Sequence, residues 1–367
     1  MMKLAMISHT APVGIVEKPD ILVDHSLEAK RKRGLSLGAK VSTDWTYKGM
    51  QGLILENDDL CATVLPDYGA KVLKFVLKSL GRDLLYHNPR VEIRTPVYGV
   101  NMDNWWHGGI DECIPTGAPS TYRGEEYPYM GETWSLPWDF EIQKNSPEEV
   151  TVHLWRPTII APLLVERWMT LRDHGCLEMR HKITNLGYSD FQFLWGIHPA
   201  LAINLSSRID IPKSKVIIDT SFPGNRLGAP GDSYQWPYVK TGGRTVDVRA
   251  VAPPESQTWD LHYATDFAEG WLAVTDTSAK AGFGMAFPKE ILKCIWIWMV
   301  YGGWRGLYCA AVEAWTGYPS KLEDAIKQGK CYSLNAGENL TCETRLVGYK
   351  DMTQVNRIRP DGKVEGS

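Results

Sequence analysis

The fold is decided by residues 163–184, which read LLVERWMTLRDHGCLEMRHKIT. Two runs with apolar residues at alternate positions, Leu163–Leu171 and Cys176–Thr184, flank the short segment Asp173–Gly175. A period of two is the pattern of a strand with one buried face, and Gly175 supplies the positive φ that a tight loop requires. The stretch therefore predicts an antiparallel β-hairpin.

Strand signals of the same kind continue on both sides of this hairpin. Short runs bounded by Gly, Pro, Asn and Asp predict strands over residues 52–58, 60–66, 71–77, 246–251, 271–276, 291–300, 307–315 and 340–349. One helix is predicted over Ser320–Gly329, with Leu322, Ala325 and Ile326 on one face and Gly329 as its stop. So many strands with almost no helix predict an all-β protein, a large antiparallel β-sandwich.

The character of the chain changes at Trp45, which suggests a domain boundary. Residues 1–45 are predicted to be an N-terminal extension, and the basic run Glu28–Gly34 within it is interpreted as a solvated flank. Residues 46–350 are predicted to be one sandwich domain, because neither a repeat nor a linker divides them. Residues 351–367 are predicted to be a C-terminal tail.

Composition and charge narrow the classes of partner. The chain has 367 residues, of which 44% are hydrophobic, enough for a large core. Forty basic residues against 43 acidic ones leave a formal charge of −3, so no field strong enough to imply nucleic acid exists. Fifteen Trp and 16 Tyr outnumber eight Phe, a bias towards rings with a polar handle, as carbohydrate sites and wet pockets require.

The cysteines and the apolar runs bear on the compartment. The seven cysteines are odd in number and widely spaced, and no Cys-x-x-Cys pair suggests a zinc or redox site. Free thiols are expected, as in a reduced compartment. The start, MMKLAMIS, is too short an apolar run for a signal peptide, and Ile295–Val300 is too short to span a bilayer. We therefore expect a soluble, cytoplasmic protein with no membrane partner.

One short stretch gathers groups suited to a binding site. Residues 104–116, NWWHGGIDECIPT, contain Trp105, Trp106 and His107, a glycine pair, and the carboxylates of Asp111 and Glu112. Indole faces suit the C–H faces of a sugar ring, the imidazole titrates near neutral pH, and the glycines allow a ligand close to the main chain. The alternative is a buried turn whose tryptophans are core. The whole combination favours a site.

Three further positions carry candidate groups. Pro199 biases His198 towards an extended conformation, which fixes where the imidazole points, although a core histidine is the alternative. Glu313 lies inside an apolar strand, where a carboxylate is costly unless it is paired or functional. Glu132 lies among aromatic residues, and its alternative role is to tether an edge strand.

Taken in order, these motifs resemble those of the aldose 1-epimerase (galactose mutarotase-like) superfamily. His107-Gly108-Gly109 is similar to its His-Gly-Gly, and Gly196–Pro199 to its Gly-His-His-Pro, keeping the second His. Glu313 stands where the family has a late glutamate, Leu334–Glu338 resembles Leu-x-Pro-Gly-Glu, and Arg167–Asn185 matches a shared strand pair. The resemblance covers roughly residues 50–350, is carried by the order of short motifs, and implies a β-supersandwich.

The resemblance also implies an activity, the mutarotation of sugars without a cofactor or metal. Glu313 would be the base for the anomeric hydroxyl, His198 the acid for the ring oxygen, and His107 would hold a ring or anomeric oxygen. The partner would be a small-molecule carbohydrate. The candidate substrate-binding residues are Trp105, Trp106, Asp111, Glu112, Glu132, Arg94 and Trp315.

The sequence departs from the family at two points, and these leave other functions open. The Asn-Arg motif that precedes His-Gly-Gly in the family is not recognisable, so Arg94 and Arg90 match by position alone. Asp111–Pro115 replaces the phenylalanine-bearing segment of galactose-specific members, so the substrate is not carried over. A glycoside hydrolase or lyase on the same fold, with Asp111, Glu112 or Glu132 as a second acid, is one alternative. A sugar-binding protein without turnover is another.

Overall fold

The computed structural model describes residues 38–173, 175–221 and 226–367. Within these residues lie 28 strands, one α-helix and three 3₁₀ helices. The α-helix, α1, spans Leu322–Lys327, and the 3₁₀ helices span Met102–Asn104, Thr133–Ser135 and Pro254–Ser256. No helix in this part of the chain is long and apolar enough to cross a membrane. Residues 1–37, which carry most of the predicted extension and its basic run, lie outside the described residues.

The strands are numbered along the chain. The first fourteen are β1 (Lys40–Tyr47), β2 (Met50–Glu56), β3 (Leu60–Leu65), β4 (Lys71–Leu77), β5 (Arg82–Asp83), β6 (Ile110–Cys113), β7 (Ser120–Tyr122), β8 (Glu125–Tyr127), β9 (Asp139–Ser146), β10 (Glu149–Pro157), β11 (Leu163–Arg172), β12 (Leu177–Asn185), β13 (Phe191–Phe193) and β14 (Gly196–Ala202). The others are β15 (Ser207–Asp210), β16 (Lys215–Ile218), β17 (Ser233–Gln235), β18 (Tyr238–Thr241), β19 (Arg244–Asp247), β20 (Thr258–Thr265), β21 (Trp271–Asp276), β22 (Ala281–Ala286), β23 (Cys294–Tyr301), β24 (Tyr308–Trp315), β25 (Tyr332–Leu334), β26 (Asn339–Lys350), β27 (Val355–Ile358) and β28 (Val364–Gly366).

Two large antiparallel sheets make up the molecule. The larger follows the order β1-β2-β3-β4-β6-β14-β24-β23-β20-β16-β17-β18-β19, with β5 beside β4. The smaller follows the order β15-β21-β22-β26-β12-β11-β10-β9, and the pairs β13-β25, β27-β28 and β7-β8 form small sheets. The predicted fold class, a large antiparallel β-sandwich, is confirmed.

The hairpin predicted for residues 163–184 lies in the smaller sheet. It consists of β11 and β12, with Leu163 opposite Asn185 and Leu171 opposite Leu177. Along β11 every second residue from Leu163 to Leu171 is buried, while the residues between them are less so. Because successive side chains of a strand point to opposite faces, this alternation turns one face of the sheet to the core and the other to water.

The central strands of the larger sheet are buried on both faces, and this property creates the site. In β23, Ile295, Ile297 and Met299 belong to the core between the two sheets. The intervening Trp296 and Val300 belong to a second apolar cluster. The other members of that second cluster come mainly from neighbouring strands of this sheet, from the loops between residues 86 and 138 and from α1, and these loops and α1 cover the outer face of the sheet.

The ends of the sandwich extend beyond the predicted domain limits. β1 begins at Lys40, inside the segment predicted as extension. The predicted tail carries β27 and β28, and Val355 and Ile358 of β27 are buried in a third cluster with residues of β21, β22 and β26. All seven cysteines are free.

The helix and the strand over residues 246–251 are among the predicted elements whose ends are shifted. The predicted helix is confirmed, but it covers only Leu322–Lys327, because Lys321 is still extended and Gly329 takes a φ of 63°. The strand predicted over residues 246–251 ends at Asp247, whose carboxylate accepts the backbone N–H of Arg249 and turns the chain.

Candidate functional site

Glu313 reaches the outer face of the larger sheet by the alternation of its strand. In β24, Ala310, Val312 and Ala314 face the core between the sheets. Glu313 therefore points the other way, as Trp315 does. Only 1% of Glu313 is exposed, so its carboxylate is held away from bulk water. A charged group in that position requires partners.

The two oxygens of Glu313 have different partners. The indole Nε1 of Trp315 donates to Oε2 over 2.7 Å. Oε1 lies 3.5 Å from Nε2 of His198. Burial raises the pKa of Glu313 above its ordinary value, and His198 and Trp315 counter this effect because both favour the carboxylate. A base with a raised proton affinity is the result.

His198 stands beside Glu313 on the neighbouring strand. In the antiparallel pairing of β14 with β24, Ile197 is opposite Ala314 and Ala200 opposite Ala311, which brings His198 opposite Glu313. His198 is buried, and its Nδ1 has no hydrogen-bond partner among the described residues. The ring of Trp106 meets the imidazole edge-on, with 6.2 Å between ring centroids.

A pocket of about 230 Å³ opens over this pair. Glu313 and His198 form part of its wall, and most of the remainder is aromatic or apolar. Its other lining residues are Met102, Asp103, Trp106, Gly117, Ala118, Tyr129, Met130, Ser221, Leu261, Trp296, Trp298 and Ser320. An apolar pocket with a few convergent polar groups is the usual form of a small-molecule site.

Of the two tryptophans singled out in the sequence, only Trp106 lines this pocket. It is 3% exposed and packs against His198 and Trp298. Trp105 lies outside the pocket, half-buried, with the guanidinium of Arg94 4.1 Å from its ring centroid. Arg94 therefore contacts Trp105 and does not line the pocket that holds Glu313 and His198.

His107 also lies outside the pocket. Its Nδ1 donates to the carbonyl of Val91 over 2.8 Å, and its ring lies 5.4 Å from that of His87. Burial lowers the pKa of His107 to about 4, so the ring is neutral at pH 7. The adjacent glycine is required by packing, because a Cβ on Gly108 would lie 2.0 Å from the carbonyl oxygen of Tyr86. In this stretch His107 fixes the main chain at Val91, and Gly108 allows the close approach of the main chain at Tyr86.

The neighbouring carboxylates Asp111 and Glu112 both face cationic side chains inside the protein, although Oδ2 of Asp111 has no hydrogen-bond partner among the described residues. Asp111 forms a buried ion pair with Lys71. Glu112 points towards the core between the sheets, where it accepts from Trp195 Nε1 over 2.9 Å and faces Arg167 and His181. Burial alone would raise the pKa of Glu112, but these neighbours outweigh it and hold the pKa below its ordinary value. Neither side chain lines the pocket.

Glu132 and Trp315 have structural partners instead of ligand contacts. Glu132 accepts the backbone N–H groups of Ile159, Ile160 and Ala161 and so ties down the loop between β10 and β11. Trp315 is fully buried and stacks on Trp296, with ring centroids 3.9 Å apart and planes 11° apart. Because it is fully buried and does not line the pocket, Trp315 has no ring face open to a sugar.

Several residues of the pocket were missed from the sequence. Trp296 and Trp298 occupy alternate positions of β23, and Trp296 pairs directly with Glu313 across the ladder. Alternation within residues 294–301 would have placed both indoles on one face, and that signal was available. Asp103 is a further carboxylate on the wall; burial raises its pKa, against the influence of Arg305 and His198.

Comparison with known proteins supports the same architecture. No protein-family model matches the chain. A "putative aldose 1-epimerase" from Klebsiella pneumoniae subsp. pneumoniae matches with a TM-score of 0.68 and 15% identity, over 88% of this chain and 86% of that one. A galactose mutarotase-like protein from Clostridium acetobutylicum matches with a TM-score of 0.58 and 12% identity, over 85% and 99% of the two chains. At 12–15% sequence identity, this structural similarity shows that the fold is shared.

Proposed function

Because the chain has the galactose mutarotase-like sandwich fold, we propose that it interconverts the anomers of a sugar, with Glu313 as base and His198 as acid. One observation carries the proposal. The buried carboxylate and the imidazole lie 3.5 Å apart on the wall of an indole-lined pocket. Two groups that exchange protons with neighbouring oxygens of one sugar are what ring opening requires.

Glu313 and His198 each transfer one proton when the sugar ring opens and one when it closes. Oε1 of Glu313 takes the proton of the anomeric hydroxyl, a carbonyl forms at C1, and the bond from C1 to the ring oxygen breaks. The protonated imidazole of His198 gives its proton to that ring oxygen. Rotation about the bond between C1 and C2, followed by the reverse transfers, closes the ring as the other anomer. A positioned acid or base contributes a factor of about 10² to 10⁴ in rate.

The surroundings of the pair suit this chemistry. Burial raises the proton affinity of Glu313, which makes it a better base than a free glutamate. His198 favours the charged form of that carboxylate, which is the form that the reaction needs at its start. Trp106, Trp296 and Trp298 supply apolar surface for the C–H faces of a pyranose.

The charge of the wall favours a neutral sugar. Among the described lining residues the acidic side chains are Asp103 and Glu313, the one basic side chain is His198, and no lysine or arginine is present. Phosphate and carboxylate groups are usually held by arginine or lysine. We therefore propose a free, uncharged aldose as the substrate.

A glycosidase is the second candidate, and Asp103 is the observation that favours it. Glycoside hydrolysis uses two carboxylates on either side of the scissile bond. Asp103 and Glu313 share the wall of one pocket. The reading as a mutarotase needs Asp103 only as a contact for sugar hydroxyls, whereas hydrolysis would need it as acid or nucleophile.

Proton NMR separates these functions in one assay. We expect the protein to speed the equilibration of a freshly dissolved pure anomer of at least one neutral aldose, and to leave the methyl and nitrophenyl glycosides of that sugar intact. Asp103→Asn should keep measurable interconversion. Release of free sugar from a glycoside would instead establish hydrolysis, and tight binding without conversion would establish a binding protein. A uronate glycoside added to the panel tests for a lyase, which would give the signals of an unsaturated uronate.

A further inference from the structure

Among the described residues, Trp315 is one of two tryptophans whose indole N–H donates to a carboxylate. Trp134, Trp138 and Trp296 each donate their N–H to a backbone carbonyl. Trp315 donates instead to a carboxylate, that of Glu313, over 2.7 Å. A hydrogen bond to an ionised acceptor is shorter and stronger than one between neutral groups.

The indole of Trp315 is held rigidly in this orientation. One neighbour is Trp296, stacked on it at 3.9 Å between ring centroids. Another is Gly196 of β14, where an added Cβ would lie 2.1 Å from Cδ2 of Trp315. Trp296 is itself fixed, because its N–H bonds to Gly317 and a Cβ on Gly117 would lie 2.5 Å from its ring. The ring of Trp315 therefore has little room to turn.

We propose that Trp315 is a positioning residue that selects which oxygen of Glu313 acts as the base. Its N–H occupies Oε2 and fixes the carboxylate plane, so Oε1, on the side of His198, takes the proton of the sugar. This inference rests on the proposed function. Trp315 is buried against Trp296 and does not line the pocket, whereas Trp296 and Trp298 do.

A matched control exists elsewhere in the chain. Trp195 is also fully buried and also donates its Nε1–H to a buried carboxylate, that of Glu112, over 2.9 Å. Glu112 does not line the pocket. Trp195→Phe therefore removes the same kind of hydrogen bond at the same depth without touching the base, whereas Trp315→Phe removes the one to Glu313.

The test compares these two variants by two readouts, one of which needs no activity. The side-chain carboxyl of Glu313 is followed by ¹³C NMR as pH is changed, its signal being the one lost in Glu313→Gln. In parallel, the acidic limb of the pH profile of kcat/KM is measured for anomer interconversion. Trp315→Phe should move both midpoints upwards by about one pH unit, because a hydrogen bond to a charged group favours the ionised form. Trp195→Phe should move neither.

The outcomes separate the inference from the function on which it rests. An unchanged Glu313 midpoint in folded Trp315→Phe would overturn the positioning role, even with an active wild type. A wild type without conversion would refute the proposed function, and the NMR midpoint would still decide whether Trp315 controls the carboxylate. If Trp315→Phe does not fold, replacement of Trp315 by its benzothiophene isostere keeps the shape, removes the N–H and decides between the same results.

Discussion

At the scale of the single residue, the buried carboxylate of Glu313 lowers the stability of the folded protein. Its carboxylate is buried in an apolar strand, and burial raises its pKa, because the ionised form loses its hydration. In the unfolded chain the same group ionises near pH 4.5. Between that value and its raised folded pKa, the native state holds the proton more firmly, and stability falls as pH rises.

We therefore expect Glu313→Gln to be more stable than the wild type at pH 8. The amide keeps the volume and can still accept from Trp315, but it has no charge to bury. The gain should disappear below pH 4.5, where the glutamate is protonated in both the folded and the unfolded chain. Thermal unfolding of both proteins between pH 4 and pH 8 measures this. A variant that is less stable than the wild type at every pH would contradict the cost assigned to the carboxylate.

At the scale of the element, β4 and β6 are joined by a buried ion pair. Lys71 begins β4 and Asp111 lies in β6, and the side chains of both are at most 1% exposed. The ammonium group also donates to the carbonyl of Gly108, over 2.8 Å. A buried pair of this kind contributes little relative to an apolar pair, but removal of one partner leaves the other charged and unpaired.

Lys71→Met should therefore lower the free energy of unfolding by about 3–5 kcal/mol. The double variant Lys71→Met with Asp111→Leu should recover most of that loss, because no unpaired charge remains. Urea unfolding of the wild type, the single variant and the double variant gives the comparison. A double variant as unstable as the single one would show that the loss comes from packing and not from the orphaned carboxylate.

Strands with one wet face were predictable from the alternation of their residues. The hairpin β11–β12 shows this, since its period of two is plain in the sequence. β23 is different: it is buried on both faces, so its residues form a continuous apolar run that does not show which face carries the pocket. For this reason the sequence did not single out Trp296 and Trp298 as pocket residues. In β24, which is equally buried, Trp315 was predicted to contact the sugar although it lies beneath Trp296.

At the scale of the whole molecule, long-range pairing decides which of the candidate groups meet. Glu313 and His198 are far apart in the chain but adjacent through the pairing of β14 with β24. His107 is one residue from Trp106, yet its Nδ1 is bound to Val91 and it lies outside the pocket. Asp103 reaches the wall from a 3₁₀ turn whose backbone is held by Arg305, a contact no local pattern reveals.

The most direct test of the central claim measures the rate of anomer interconversion by Glu313→Gln. On an aldose that the wild type accepts, the rate should fall by on the order of 10² or more, because a positioned base is lost. Sugar affinity, followed by the quenching of tryptophan fluorescence, should be largely retained. A rate equal to that of the wild type would contradict the account, and loss of conversion in Asp103→Asn alone would move the chemistry to Asp103.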